Sequence, residues 1–233
     1  MNNYTLQIKV KERANKLDSL DYDNIECWQI AEAYNKVQIE WSRKVVQGYN
    51  LRKQGDEASK FSIDDLQLLL VDTPIVITKR DGYYESDILP DNYLWWKRVQ
   101  ADTLMECCPA RRLKIHLSET ANIDDMLDDE FKRPSAEWGD TFAVLIGNRI
   151  RIYTNNEFDV QDARLIYYRR PVDIQIADCF NIVTGDVNTV NVDCEFKDDI
   201  AEILVDYTVA VLAGDTELFN TMQRTQQAVT NAT

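Results

Sequence analysis

The hydrophobic residues of this chain change their spacing twice along its length. They recur at steps of three and four near both ends and at every second residue in parts of the middle. The first spacing buries one side of a helix, whereas the second buries one face of a strand. We therefore expect helices at both ends of the chain and a sheet between them.

The longest helical pattern lies between Asn24, a favourable N-cap, and Gly48, a residue that favours a helix end. A shorter helix is expected from about residue 4 to residue 17. Another is expected from Ser62, where Ser62-Ile63-Asp64-Asp65 forms a capping box ahead of Leu66. The apolar positions of the longest pattern are Ile25, Trp28, Ala31, Tyr34, Trp41 and Val45.

Two helices are also expected after residue 190. The first carries an apolar stripe from Phe196 to Leu212 and ends at Gly214. Asp215 or Thr216 then caps a final helix, which runs through Leu218 and Val229.

Turn signals and β-branched runs indicate strands in the middle of the chain. Residues 73–78 form such a run, and Asp81-Gly82 is a hairpin turn signal before Tyr83-Tyr84 resumes a strand. Residues 111–118 alternate, which predicts one continuous strand with Leu113, Ile115 and Leu117 on one face. The aromatic stretch 93–99 follows no single period.

The strongest hairpin signal is Gly147-Asn148, between residues 141–146 and 149–154. Ile150 and Ile152 should face the core. Residues 165–168 follow at the spacing of a meander, so we expect these three strands to be antiparallel neighbours.

These elements predict an α+β fold with N-terminal helices, a central antiparallel β-meander that includes a short acidic helix, and a C-terminal helical pair. The expected organisation is an N-terminal helical segment over 1–70, a β-rich central segment over 71–190, and C-terminal helices with a polar tail over 191–233. The acidic helix is expected over 121–131, with Ile123, Leu127 and Phe131 on its apolar side.

The charge balance limits the classes of function. The chain has 26 Lys and Arg against 40 Asp and Glu, a formal net charge of -14. The net charge is -1 over residues 1–70, -6 over 71–180 and -7 over 181–233. Because nucleic-acid phosphates are neutralised by clustered Lys and Arg, this balance argues against broad wrapping of nucleic acid.

The sequence indicates a protein made in the cytoplasm and not held in a membrane. No basic segment followed by an apolar one begins the chain, and no run of about 18 apolar residues occurs. The five cysteines form no C-x-x-C pair and no zinc-site spacing. Packed thiols are the favoured interpretation of adjacent Cys107 and Cys108.

The search for catalytic groups leads us to expect no catalytic, cofactor-binding or metal-binding residues. The chain has a single histidine, and we expect His116 to be solvated on the polar face of its strand. With 7 glycines and none of the usual glycine-rich motifs, a phosphate-binding loop is not expected.

Carboxylates are the abundant functional group, at Asp124, Asp125, Asp128, Asp129 and Glu130. Their spacing is not that of an EF-hand loop, so a solvated acidic helix face is favoured over a Mg²⁺ or Ca²⁺ site. Such a face repels polyanions.

Basic pairs and aromatic doublets occur in the strands. Neighbours on a strand point to opposite faces, so the basic pairs favour ion pairs over a DNA-binding stripe. The doublets suggest that both sheet faces are covered, either by core packing or by helices or another subunit. The basic pairs are Lys79-Arg80, Lys97-Arg98, Arg111-Arg112, Lys132-Arg133 and Arg169-Arg170, and the doublets are Tyr83-Tyr84, Trp95-Trp96 and Tyr167-Tyr168.

The order of these elements, together with residues 129–135, 142–153 and 167–171, resembles head-to-tail connector proteins of tailed bacteriophages, and more specifically the ring proteins below the portal in crAss-like podoviruses. The stretches 196–200 and 212–215 are similar to the closing helices of such proteins. The resemblance extends over about residues 120–215, and residues 1–70 match only in architecture.

The resemblance implies a noncatalytic virion structural protein at the head-tail interface, made in the cytoplasm of the bacterial host. Its partners would be neighbouring copies in a closed ring of about twelve subunits, the portal protein, and other ring or tail proteins. DNA would pass through the channel without specific binding. We expect Asp124, Asp125, Asp128, Asp129 or the acidic C-terminal helices to contribute to the lumen or outer rim.

Three alternatives remain open from the sequence. The chain could be another virion component, such as a tail hub or a tail-tube ring. It could be a metal-assisted hydrolase that uses the acidic cluster. It could also be a small host-directed protein that is absent from virions.

Overall fold

The computed structural model describes residues 1–14, 25–46, 65–105, 108–182 and 185–215, together with residue 227. The chain divides into two compact units. The helical unit comprises residues 1–68 and 171–233, and the β unit comprises residues 69–170. The expected α+β class, with helices toward both ends and mainly antiparallel strands between them, is confirmed.

Four α-helices occur in the described residues: α1 Asn3–Arg13, α2 Cys27–Val46, α3 Ile123–Asp128 and α4 Asp198–Asp215. Single 3₁₀ turns cover Gln67–Leu69 and Thr120–Asn122. Helices α1, α2 and α4 confirm three of the predicted helical patterns. The predicted caps Asn24 and Ser62 lie outside the described residues, as does nearly all of the final helix.

The helix predicted from Ser62 is corrected at its far end, because Leu70 begins a strand. One face of each long helix supplies the core of the helical unit. Trp41 of α2 meets Phe196 edge to face, with 5.4 Å between ring centroids. Buried side chains of this core include Leu6, Val10, Ile30, Tyr34, Val37, Leu204, Val205 and Val209.

The β unit contains two sheets, and its strands are β1 Leu70–Pro74, β2 Ile77–Lys79, β3 Tyr83–Ser86, β4 Tyr93–Met105, β5 Cys108–Arg112, β6 Lys114–Leu117, β7 Asp140–Ile146, β8 Arg149–Tyr153 and β9 Asp159–Arg169. The four-stranded sheet has the order β1-β9-β4-β5, and the five-stranded sheet has the order β2-β3-β8-β7-β6. The core of the unit combines residues from both sheets, including Val99 and Leu165 from the first and Ile150 and Ile152 from the second.

The β7–β8 hairpin is confirmed. Ile146 pairs with Arg149 across the turn, and Gly147 and Asn148 have φ angles of 57° and 60°. Two successive residues with positive φ match the twist of the flanking strands, which is why glycine and asparagine are favoured there. Ile150 and Ile152 are fully buried, as their alternation predicts.

The prediction that these three strands form one antiparallel meander is wrong. Strand β9 pairs with β1 and β4, and the other neighbour of β8 is β3. The Asp81-Gly82 hairpin supplies β3 to the edge of β8, so β9 crosses to the opposite sheet. Strand β6 also departs from the antiparallel expectation, because it pairs with β7 in parallel.

Two predicted continuous strands are split, because the chain changes sheets within each of them. Residues 111–118 divide at Leu113, a buried residue whose N–H donates to the Ala101 carbonyl at 2.9 Å. Residues 73–78 divide between Pro74 and Ile77. An inward-facing residue at such a corner keeps the alternation intact while the hydrogen-bonding partners change.

Residues 93–99, which follow no single period, open the longest strand. The pairing of β4 with β9 shifts register at three places, between Tyr93 and Trp95, between Trp96 and Arg98, and between Gln100 and Asp102. Each bulge inserts a residue into one strand, so the inward and outward positions exchange.

Candidate functional site

The acidic helix α3 lies on the outer face of the five-stranded sheet. Ile123, Met126 and Leu127 pack against the cluster of Phe142, Val144 and Tyr153. The carboxylates of Asp124, Asp125 and Asp128 belong to exposed residues on the other side of the helix. The predicted solvated acidic face is thus confirmed for these three residues.

The predicted apolar side of this helix needs one correction. Phe131 lies beyond the end of α3 and is 95% exposed, and Met126 occupies the third packing position instead. The helix ends early because the Asp129 carboxylate accepts the Phe131 backbone N–H at 2.9 Å. That hydrogen bond, followed by Lys132 at 3.1 Å, lowers the pKa of Asp129.

The carboxylates do not form a metal-ligand set in the described parts of the chain. Among those residues, no group of three or more His, Cys, Asp or Glu side chains is placed to hold a metal ion. The side chains of α3 instead form a band of negative charge, which repels polyanions.

His116 is solvated, as the alternation predicts. Its side chain is 68% exposed, and its Nε2 lies 3.2 Å from the Asp140 Oδ1. The two residues come from the parallel strands β6 and β7. This placement makes His116 a surface group beside a carboxylate.

The basic pairs of the β unit contribute to surface ion pairs, as predicted. Arg80 pairs with Glu85 at 3.8 Å, and Arg112 pairs with Asp102 at 3.4 Å. Lys97 lies 5.6 Å from the centre of the Tyr168 ring. Because these cations already have partners within the unit, they form a weaker anion-binding surface than their number suggests.

The sequence does not predict a cluster of hydrogen-bonded side chains around Asp159. Its carboxylate accepts hydrogen bonds from Lys79 and, at 2.7 Å, from the Tyr84 hydroxyl. The Lys79 bond, followed by the Tyr84 bond, lowers the pKa of Asp159. Burial, followed by the hydrogen bond to Asp159, raises the pKa of Tyr84. The partners are 75 and 80 residues apart in sequence, and no local pattern links them.

The aromatic doublets pack largely within the β unit. Tyr84 and Tyr167 belong to the core between the sheets, with Trp96 packed against it. Tyr83 lies on the outer face, where its ring centroid is 5.7 Å from that of Tyr153 and 5.1 Å from the Arg151 guanidinium. Core packing therefore accounts for Tyr84, Trp96 and Tyr167.

The acidic side chains of α4 lie partly against α1. Glu202 pairs with Lys9 and Arg13, and Asp206 pairs with Arg13 at 2.6 Å. Burial raises the pKa of Glu202, but the hydrogen bonds and positive charges of Lys9 and Arg13 outweigh it and hold the pKa below its ordinary value. These carboxylates join two helices, whereas Asp124, Asp125 and Asp128 of α3 are exposed.

Two anchored segments expose large apolar side chains. The 131–138 segment of the β unit is fixed by the Ser135–Asp140 bridge and by Ala136, which packs on the core. Its Phe131 and Trp138 are 95% and 74% exposed. Exposed rings on a fixed backbone are typical of protein interaction sites.

The second segment lies in the helical unit and comprises residues 179–182 and 185–188, which the antiparallel Phe180–Val187 bridge pairs. Phe180, Ile182 and Val187 are 52%, 64% and 53% exposed. At its base, the Asp178 N–H donates to the Asn188 carbonyl at 2.9 Å, and the Asn188 N–H donates to the Cys179 carbonyl at 3.1 Å.

A disulfide joins Cys179 to Cys27, the first residue of α2, across 152 positions of sequence. Counting five cysteines indicates that at least one is unpaired but does not identify the pair. Cys194 is a buried free thiol and accepts a hydrogen bond from the Tyr34 hydroxyl at 3.1 Å. Burial, followed by the Cys194 thiol, raises the pKa of Tyr34. Cys107 lies outside the described residues.

An open groove of about 320 Å³ runs between α2 and α4 of the helical unit. The indole Nε1 of Trp28 is buried there and has no hydrogen-bond partner in the described parts of the chain. The lining is mixed in polarity and consists of Ile25, Trp28, Gln29, Glu32, Ala33, Lys36, Val211 and Leu212.

No protein-family model matches this chain, and no curated protein matches it. In the described residues, every helix is too short or too polar to span a membrane.

Proposed function

We propose that this chain is a noncatalytic virion structural protein, a ring or adaptor subunit that assembles below the portal and joins the phage head to the tail. The observation that carries the proposal is the pair of anchored segments that expose Phe131, Trp138 and Phe180 on a chain of net charge -14. Such a surface offers apolar contacts to protein and repulsion to DNA. Both properties suit a ring through which a genome slides.

Ring closure requires each subunit to contact two neighbours through different surfaces. The β unit and the helical unit each carry one anchored apolar segment, which supplies two chemically distinct contacts per chain. The neighbours are further copies of the chain, and the portal and other ring or tail proteins bind above and below.

The α3 carboxylates are the proposed contribution to the channel or its rim. Asp124, Asp125 and Asp128 are exposed, whereas Glu202 and Asp206 of α4 are engaged by α1. Of the two acidic regions, we therefore assign this role to α3 and not to the C-terminal helices.

Reconstitution with the portal protein of the same phage tests the assembly. Mixing the chain with portal rings should give a complex with about twelve copies of the chain, measured by native mass spectrometry. The double variant F131A/W138A should lose this binding by at least tenfold, since exposed aromatic anchors dominate interface energies. The matched control is V76A/I88A, which removes two other exposed apolar side chains of the β unit. Full assembly by F131A/W138A would contradict the assignment of this surface.

A charge reversal tests the channel role. Virions that carry D125K/D128K should eject DNA more slowly, because lysines facing the genome bind its phosphates. The control D87K/D91K makes the same change in net charge at exposed positions outside α3. Equal ejection rates in the two variants would place α3 away from the channel.

Metal titration distinguishes a metal-assisted hydrolase from the proposed structural protein. Stoichiometric binding of Mg²⁺ or Mn²⁺ that D125N/D128N abolishes would favour that alternative over a connector. The structural proposal expects no such binding.

A further inference from the structure

The corner of the β unit at Trp138 carries positive charge in a chain whose net charge is -14. The Arg111 Nη1 donates to the Glu137 carbonyl, which places this guanidinium beside the exposed Trp138. Lys114 lies at the same corner, because its N–H donates to the Gly139 carbonyl at 2.7 Å. In the described parts of the chain, neither Arg111 nor Lys114 forms an ion pair, unlike the neighbouring Arg112.

The backbone that carries Trp138 is fixed. Ser135 and Asp140 exchange two backbone hydrogen bonds, at 2.9 and 3.1 Å, across the turn that contains the ring. The Asp140 carboxylate lies beside His116, and Glu137 is the exposed carboxylate of the turn. Tryptophan and arginine are the residues that most often dominate the energy of a protein interface. The Trp138 corner therefore has the composition of a docking surface for an acidic partner.

The groove between α2 and α4 of the helical unit has the opposite charge at its rim. Glu32 lines the groove and Glu26 directly precedes α2, and both side chains are exposed. Neither forms an ion pair in the described residues, whereas Lys36 pairs with Glu40 at 4.0 Å. The last turn of α4 contains no basic residue that would offset the negative end of the helix dipole. The groove therefore favours a cationic partner.

The interior of the groove suits one large side chain. Its volume of about 320 Å³ is at the lower end of the range for binding pockets, and apolar side chains of both helices form its walls. The buried Nε1 of Trp28 has no hydrogen-bond partner in the part of the chain that the structure describes. Buried donors in native proteins nearly always have a partner. The groove thus lacks an acceptor that an incoming segment can supply.

The groove also adjoins the second anchored segment. Cys27, in the part of α2 that lines the groove, is bonded to Cys179, the residue before the exposed Phe180. A partner seated in the groove therefore lies near the apolar side chains of that segment as well.

We propose that Trp138 of one copy of the chain docks in the groove between α2 and α4 of the next copy. Arg111 and Lys114 then face the carboxylates at the rim. A second copy is the favoured occupant because the chain itself carries both complementary surfaces, and they are different surfaces, as a closed ring requires. This inference rests on the proposed function, since it takes the neighbour to be another subunit of the ring.

Cross-linking of the assembled ring tests the contact on the unmodified chain. Rings are assembled on portal rings from equal amounts of ordinary and heavy-isotope-labelled chain and treated with a carbodiimide, which joins a lysine directly to a carboxylate. Peptide mass spectrometry should find Lys114 joined to Glu26 or Glu32 in pairs of mixed isotope composition. Links from Lys114 to a different region of the neighbouring copy, or no link between copies, would overturn the pairing.

Charge reversals test the same contact by rescue. R111E and E32R should each raise, by about tenfold or more, the concentration of chain needed to fill the portal ring, because like charges then face each other. The double variant R111E/E32R should return that concentration to within about threefold of the unmodified value, since every contact then carries the pair in reverse. The matched controls R98E and E12R reverse charges at other exposed positions and should fill the ring as the unmodified chain does. Native mass spectrometry counts the bound copies.

The outcomes separate this contact from the proposed function. Full assembly by both single variants would leave the ring in place and overturn the contact. Losses that the double variant does not restore would show that the two surfaces meet different partners, which also overturns it. If the unmodified chain forms no ring on the portal, the proposed function fails and this contact fails with it. The cross-linking result does not depend on the folding of any variant.

Discussion

The β unit is one uninterrupted stretch of chain, residues 69–170, whereas the helical unit joins residues 1–68 to residues 171–233. Hairpins such as β2–β3 and β7–β8 build the first through neighbours in sequence. The second depends on the Cys27–Cys179 disulfide and on hydrogen bonds from Asn3 that reach 172 to 190 positions along the chain. The comparison shows that one unit closes within a single stretch of chain, through hairpins and through the pairing of β9 with β1 and β4, whereas the other joins the two ends.

The largest expected effect comes from separating the units. A fragment of residues 69–170 should fold alone, because a contiguous stretch of about 100 residues with its own core is within the range of independent domains. A fragment of residues 1–68 should remain largely unfolded, since it lacks the buried face of α4. Circular dichroism during thermal unfolding distinguishes a cooperative transition from a gradual change. A stably folded 1–68 fragment would contradict the conclusion that the helical unit requires both ends of the chain.

Core truncations should affect the two units separately. Leu204→Ala should destabilise the helical unit by about 2–5 kcal/mol, and Ile152→Ala should destabilise the β unit by a similar amount, because both side chains are fully buried. Hydrogen exchange locates each loss of stability within its own unit. Leu117→Ala, at an exposed position, is the control and should change stability by no more than about 0.5 kcal/mol. Equal loss in both units from either variant would show that they unfold as one.

Asparagine truncations compare long-range with shorter-range hydrogen bonding. Asn3→Ala removes a buried side chain that donates to Gln175 and Val192 and should cost about 1–3 kcal/mol. Asn92→Ala removes one side-chain acceptor, bonded to the Tyr167 hydroxyl at 2.8 Å, and should cost about 0.5–1.5 kcal/mol. Urea unfolding of the two variants gives both free energies. A larger loss for Asn92→Ala would reverse the proposed ranking.

Acid sensitivity gives the smallest difference. The pKa values of Glu202 and Asp159 are lowered in the folded chain, so each carboxylate stabilises the fold above its ordinary pKa, and this contribution is lost as the pH falls through the lowered value. The relevant window begins near pH 4.5 for Glu202 and near 3.8 for Asp159 and extends downward.

Glu202→Gln should cost about 0.5–1 kcal/mol at neutral pH and reduce the acid dependence of the helical unit. Asp159→Asn should have a smaller effect, on the β unit, because that carboxylate is more exposed to solvent. Unfolding free energies at neutral pH and below pH 4 check both. If the unfolding free energy of Glu202→Gln depended on pH as that of the unchanged chain does, the α1–α4 ion pairs would not be a source of the acid sensitivity.

The sequence predicts the elements well where a local rule applies. The turn is predicted by Gly147-Asn148, because glycine and asparagine favour the positive φ angles that it requires. The helix that contains Tyr34 is predicted by the spacing of its apolar residues. The partners of β9 could not be predicted from spacing, because spacing does not show that β3 is the second neighbour of β8. The strand at residues 93–99 was hidden by bulges, which shift the alternation.

The candidate surfaces were predicted in part. The solvated acids of α3 follow from helical periodicity, whereas the exposure of Phe131 depends on an early helix end that periodicity cannot register. The disulfide pair was not predictable either. Cys27 and Cys179 show no motif, and only the folded chain brings residues so distant in sequence together.

The most direct test of the central proposal is analysis of purified virions. Mass spectrometry of the particles, followed by electron cryomicroscopy of the neck, should find this chain in about twelve copies, arranged as a ring between portal and tail. Monomeric protein in solution is compatible with the account, because subunits can wait for the portal before they assemble. Particles with a complete neck that lacks this chain would contradict it.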